Sequence, residues 1–136
     1  RDCDIVVITA GVPRKDGMTR EDLLMINAKI MKDVVENIKK YSPNAVILSV
    51  SNPLDVMTYV IHKLTGWERN RIIGMAGALD SARMAYQIHK KVEYGSGQIK
   101  AIVIGDHGEN MIPLPEISTV GGIPLGQIMS KEAMRE

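Results

Sequence analysis

The apolar positions of this chain change their period along its length, and each change marks an element. Residues 4–9 read DIVVIT, a short run rich in β-branched residues and closed by Ala10 and Gly11, which predicts a buried strand. Residues 11–18 mix Pro13 and Gly17 with Arg14, Lys15 and Asp16, the composition of a charged loop. Apolar side chains then recur at spacings of three and four, at Leu23, Ile26, Ile30, Val34 and Ile38, with Leu24, Met31 and Val35 widening the stripe. That is one face of a long helix. Thr19 with Asp22 three residues later predicts its capped start. Lys39 and Lys40 suit its negative end, and Ser42 with Pro43 stops it.

Residues 45–50 (AVILSV) predict a second buried strand, running into Ser51, Asn52 and Pro53. With Asn52 as N-cap and Pro53 in the first turn, a helix is expected over residues 53–65, closed by Gly66. Residues 71–74 (RIIG) begin a third strand. Strand, helix, strand, helix, strand with crossovers of this length predicts a parallel sheet, one half of a doubly wound α/β fold. Right-handed crossovers bring the loops at 10–19 and 51–53 together beyond the carboxyl ends of the strands, where such sheets bind ligands.

After Gly74 the pattern changes. A helix is expected over 81–91, a strand over 99–104, a tight turn at 105–108, and short antiparallel strands within the Pro- and Gly-interrupted stretch 111–125. The run 128–136 reads as helix. A domain boundary therefore falls near 74–77, with 1–74 belonging to the parallel sheet and 75–136 beginning an α+β domain.

Composition narrows the functional classes. The 136 residues are 45% hydrophobic and 24% charged, with a net charge of +1, so the chain is neither disordered nor fibrous. Basic and acidic residues balance in both halves. That excludes the clustered positive charge of a nucleic-acid groove or a polybasic membrane patch. The longest uncharged apolar runs are far shorter than the roughly 18–20 residues of a membrane span, and no signal or transit segment is visible. Cys3 is the single cysteine, so an internal disulfide and a cysteine zinc cluster are excluded, and a reducing cytoplasm is the expected location. The chain opens on Arg1 and closes inside a helix-like run, which reads as an internal portion of a longer protein.

Few residues point to chemistry. Asp80 and Arg83, three apart at a helix start, either face one pocket or serve as an N-cap with a surface partner. His107 sits between Asp106 and Gly108 after a buried strand. A carboxylate on one of its ring nitrogens would fix the tautomer and leave the other nitrogen to exchange a proton with a substrate oxygen. Arg14 and Arg20 bracket Gly17, either as a lid that closes on an anion or as a solvated loop. Arg20 in a first helical turn is mildly misplaced against the helix dipole. Asn52 either hydrogen-bonds a ligand or caps a helix. There is no G-x-S-x-G elbow, Walker loop or H-E-x-x-H, and Gly95-Ser96-Gly97 lacks the third glycine of a dinucleotide fingerprint. Asp106, His107 and Glu109 could mimic a metal cluster, but His62 and His89 lie on helix patterns and are expected to face solvent, so no metal site is expected.

The stretches ITAGVPRKDGMTREDLL, VSNPLDVMTY, GALDSAR and IGDHGENMIPL, in this order and spacing, resemble the 2-hydroxy-acid dehydrogenases that include lactate and malate dehydrogenases. The resemblance covers nearly the whole chain. It implies a Rossmann-type dinucleotide-binding domain, of which 1–74 is the second part, followed by the beginning of a catalytic domain. It implies hydride transfer between a substrate's hydroxyl carbon and a nicotinamide, with His107 as proton acceptor oriented by Asp80. Arg83 would grip the C1 carboxylate, Arg20 would close onto the substrate carbonyl, and Asn52 would touch both substrate and nicotinamide. Val50 would line the cofactor and Asn27 would contact the dinucleotide.

Arg14 selects the substrate within this resemblance, because lactate enzymes resemble one another in an uncharged side chain there and malate enzymes in an arginine. Burying malate's second carboxylate unpaired would cost several kcal/mol, which a guanidinium offsets with charge-assisted bonds. The expectation is therefore malate and oxaloacetate, with lactate or another 2-hydroxy acid as the alternative, and a non-catalytic α/β binding module as the alternative from another class. NAD is the expected cofactor. NADP is not excluded, since the glycine-rich turn and acidic ribose-binding residue are expected before Arg1. A homodimer or homotetramer is the expected assembly.

Overall fold

The computed structural model describes residues 1–134. The chain divides into two compact units, Arg1–Met75 and Ala76–Glu136.

In the first unit, β1 (Ile5–Ile8), β2 (Val46–Ser49) and β3 (Ile72–Gly74) form a parallel sheet in the order β1-β2-β3. Ile5 pairs with Val46, and Leu48 stands between Val7 and Ile73. The connections are α1 (Arg20–Tyr41) and α2 (Leu54–Thr65), which pack on each other and on one sheet face. Two right-handed crossovers in one direction place both helices on the same side. That side buries Ile8, Ile47 and Ile72 against Met31, Val35, Ile38, Met57 and Ile61. Each such side chain contributes about 1.5–3 kcal/mol on leaving water. Ile5, Val7 and Ile73 lie exposed on the other face. This is the sheet and crossover pattern of a Rossmann-like half.

Thr19 and Asp22 form the expected capping box at the start of α1. The buried stripe of α1 is rotated from the expected one. Asn27, Met31, Val35 and Ile38 are buried, whereas Ile26 is exposed. A polar residue sits in the inward row, so hydrophobic periodicity alone misplaces the phase. α2 is also capped differently. Its N-cap is Pro53, with no side-chain capping bond, and Asn52 lies outside the helix, joined to Pro53 by a cis peptide. Gly66 closes α2 in the left-handed conformation, as expected.

The second unit opens on α3 (Gly77–His89), which starts four residues earlier than the sequence pattern suggests and places Asp80 inside the first turn. The expected strand at 99–104 is two short strands, β4 (Ile99–Lys100) and β5 (Val103–Ile104), because each finds a different partner. β6 (Ile112–Pro113) pairs antiparallel with β5. β7 (Thr119–Val120) lies between β4 and β8 (Ile123–Pro124), again antiparallel. Ile88, Ile99, Val120, Leu125 and Met129 form the core of this unit. The run after Leu125 is a short 3₁₀ turn and further turns, with no α-helix among its described residues. Its last two residues lie outside the described ones. Among the described residues no helix is long and apolar enough to cross a membrane.

Candidate active site

The second unit holds a polar cluster centred on Asp80. Its Oδ2 lies 2.8 Å from Nδ1 of His107, and its Oδ1 accepts from a guanidinium nitrogen of Arg83 at 3.2 Å. Only 4% of the Asp80 side chain is exposed, against 22% for His107 and 62% for Arg83. The His107 hydrogen bond holds the Asp80 carboxyl below its ordinary value, outweighing the opposite push of burial, and Arg83 adds to the same effect. An ionised carboxylate only accepts, so Nδ1 carries the hydrogen in this contact, which fixes the ring's tautomer.

Local sequence explains how the cluster is held. Asp80 lies in the first turn of α3, where its negative charge suits the helix dipole. The neighbouring Ser81 hydroxyl accepts the Val103 N–H at 3.0 Å, tying that turn to the strand leading to His107. Gly77 permits this approach, since a Cβ there would lie 3.3 Å from the Val103 carbonyl oxygen. Gly105 turns the chain at φ +96°, where a Cβ would collide with the Asn110 carbonyl oxygen. Asp106 closes the turn by accepting from the Asn110 backbone at 3.1 Å and side chain at 2.8 Å. The sequence pattern places a turn at 105–108, but sequence reasoning missed Ser81 and the Asp106–Asn110 hydrogen bonds that hold that turn. The D-S and D-H-G-E-N patterns carried that signal, since small polar residues beside turns bond nearby backbone.

The first unit places its residues at the carboxyl ends of β1 and β2. Arg14 lies exposed in the loop after β1, its Nε donating to the Met18 carbonyl at 3.2 Å. Arg20 is the exposed first residue of α1. Val50 follows β2, half-buried, with its N–H on the Ile8 carbonyl. Asn52 is exposed. Asn27 is fully buried, and its amide bonds Val12 and the Asn52 carbonyl. Ser51, absent from the expected set, is buried and donates to the Ala10 carbonyl at 2.6 Å.

The remaining histidines stand apart. His89 is exposed with Nδ1 2.8 Å from the Tyr94 carbonyl oxygen. His62 does not face solvent as expected. It is half-buried, and its Nδ1 is enclosed without a hydrogen-bond partner. Among the described residues no group of three or more His, Cys, Asp and Glu side chains could hold a metal ion.

Two family models match almost end to end. The lactate/malate dehydrogenase NAD binding domain matches residues 1–74, and the lactate/malate dehydrogenase alpha/beta C-terminal domain matches 77–136. The chain is 59% identical to a malate dehydrogenase of Sulfurimonas denitrificans over 98% of its own length and 42% of that protein. It is 52% identical to one from Aeropyrum pernix over 100% of the chain and 44% of that protein. A solved structure of the Aeropyrum pernix malate dehydrogenase superposes with a TM-score of 0.90 at 51% identity, covering 99% of this chain and 44% of that one. A lactate dehydrogenase from Eimeria maxima, solved with NADH and oxamate, gives 0.87 at 40% identity over 97% and 42%. The chain thus spans less than half the length of these relatives.

Proposed function

Because this chain belongs to the lactate/malate dehydrogenase family, we propose that it supplies the proton-transfer and substrate-binding residues of an NAD-dependent enzyme interconverting malate and oxaloacetate. The observation that carries the reading is the Asp80–His107 contact at 2.8 Å with Arg83 on the other carboxylate oxygen.

On malate oxidation, His107 Nε2 accepts the hydroxyl proton while the hydrogen on the same carbon leaves as hydride. The ionised Asp80 stabilises the imidazolium that forms and holds the ring's orientation. Arg83, mostly exposed, has guanidinium N–H groups to offer the C1 carboxylate. Arg20 acts on the reacting oxygen, and Arg14 pairs with the second carboxylate. A lactate enzyme would have no use for a charge at residue 14.

Nicotinamide, when bound, supplies the hydride acceptor. The residues at the strand ends fit it. Gly11 has backbone at φ +150° and no side chain, Val50 offers a half-buried apolar surface, and Asn52 an exposed amide. Residues 1–74 are in this reading the second part of the dinucleotide-binding domain, and 75–136 begin the catalytic one. A homo-oligomer and a cytoplasmic location belong to the same proposal. Exposed Leu79 and Tyr86 on α3 favour contact with another copy, and an unpaired, exposed Cys3 suits a reducing compartment.

The test is absorbance at 340 nm, with the complete polypeptide, NADH and either oxaloacetate or pyruvate. Rapid oxidation with oxaloacetate and slow oxidation with pyruvate is expected. Preference for pyruvate, or inactivity with both, overturns the reading.

A further inference from the structure

Asn27 is fully buried within the helix–sheet core, yet its polar atoms all serve two loops. Oδ1 accepts the Val12 N–H at 2.9 Å. Nδ2 donates to the Val12 carbonyl at 3.3 Å and to the Asn52 carbonyl at 2.9 Å. Ser51, 4% exposed, adds a second link through its hydroxyl to the Ala10 carbonyl at 2.6 Å. The loop after β1, which carries Arg14, is thereby fastened to the loop after β2, which carries Asn52.

We propose that Asn27, assisted by Ser51, is a positioning residue that joins these loops into one rigid edge and, through Val12, sets the placement of Arg14 and so the preference for a substrate with a second carboxylate. The proposal rests on the role given to Arg14 above.

A primary amide has two N–H donors, and both are spent inside the protein. None is left to donate to a dinucleotide, so the contribution of this side chain passes through the backbone it holds. Burying an amide in a core is unfavourable unless its polar groups are met, and here the partners are backbone groups of the two loops. Gly11 is part of the fit, since a Cβ there would lie 3.3 Å from Asn27 Oδ1. At its far end the same loop is held by the Thr19–Asp22 capping box. Residues 13–18 thus span two fixed posts, with Arg14 two residues from the first. A guanidinium that must meet a carboxylate through directional bonds loses most of its advantage when its base shifts by an ångström.

The experiment compares Asn27→Ala, Ser51→Ala, Arg14→Gln and the double variant Asn27→Ala/Arg14→Gln in the complete enzyme. The readouts are kcat/KM for oxaloacetate and pyruvate and the KM for NADH. Asn27→Ala is expected to lower the oxaloacetate-to-pyruvate ratio by about ten- to a hundredfold, with the NADH KM within about twofold. Ser51→Ala should shift the ratio the same way but less. In the Arg14→Gln background, Asn27→Ala should leave the ratio unchanged, because both act through one group. A raised NADH KM with an unchanged ratio, or an additive double variant, overturns the proposal.

Hydrogen exchange at the amides of Gly11, Val12 and Arg14 gives a readout independent of activity, and Ser51→Ala supplies it should Asn27→Ala not fold. Faster exchange there is expected, and unchanged exchange contradicts the fastening. Wild-type inactivity toward oxaloacetate would remove the proposed reaction, and the exchange result would still decide whether the two loops are fastened.

Discussion

Asp80 reaches Nδ1 of His107 at 2.8 Å across 27 residues of chain, while only 4% of its own side chain meets solvent. A carboxylate this shielded and this close fixes which ring nitrogen carries the hydrogen. Asp80→Asn keeps the shape but removes the charge, and its amide can turn either group toward the ring. Turnover is expected to fall by about 10²–10⁴, the range for disabling a general acid–base pair. Steady-state kinetics at saturating oxaloacetate measure it, and a loss below about threefold would free His107 of dependence on this carboxylate.

The same contact makes stability depend on pH. The native carboxyl of Asp80 sits below the ordinary value of 3.8, so the native state holds its proton less tightly than the unfolded chain does. Its contribution is full above the unfolded value and is lost as pH falls through the native one. Urea midpoints for wild type and Asp80→Asn should therefore differ by a constant amount near neutrality and converge below about pH 4. A gap that widens on acidification would contradict the sign.

Arg14→Gln should weaken oxaloacetate reduction far more than pyruvate reduction, because only the former brings a second carboxylate. The ratio of kcat/KM for the two substrates is the observable. An unchanged ratio removes Arg14 from its assigned role.

Gly105 turns the chain two residues before His107 at φ +96°, with the Asn110 carbonyl oxygen where a side chain would begin. Gly105→Ala should cost about 1–3 kcal/mol in backbone strain alone, with the collision in addition. Turnover should fall with it, since the turn that presents His107 must shift. A variant with the wild-type urea midpoint and turnover would show that the turn tolerates a side chain.

The parallel sheet and its two helices were legible in the sequence because buried strands and amphipathic helices each impose their own period. The phase of α1 was not, because its most buried row contains Asn27, and a hydrophobic pattern cannot register an amide whose hydrogen bonds replace water. The early start of α3 was hidden by Gly77, which looks like a breaker but serves close approach to Val103. Asp80, Arg83 and His107 are each legible in the sequence as members of motifs. Their meeting, by contrast, depends on long-range packing that no local spacing encodes. Ser51 and Ser81 escaped for the opposite reason, since a small hydroxyl gives no pattern until its backbone partner is known.

Replacement of His107 by Asn in the complete enzyme keeps an N–H for Asp80 while removing the capacity to carry a proton at neutral pH. NADH oxidation with oxaloacetate, followed at 340 nm, should drop by about 10²–10⁴ in turnover with the protein still folded. Wild-type turnover in that variant would place the proton carrier elsewhere in the molecule.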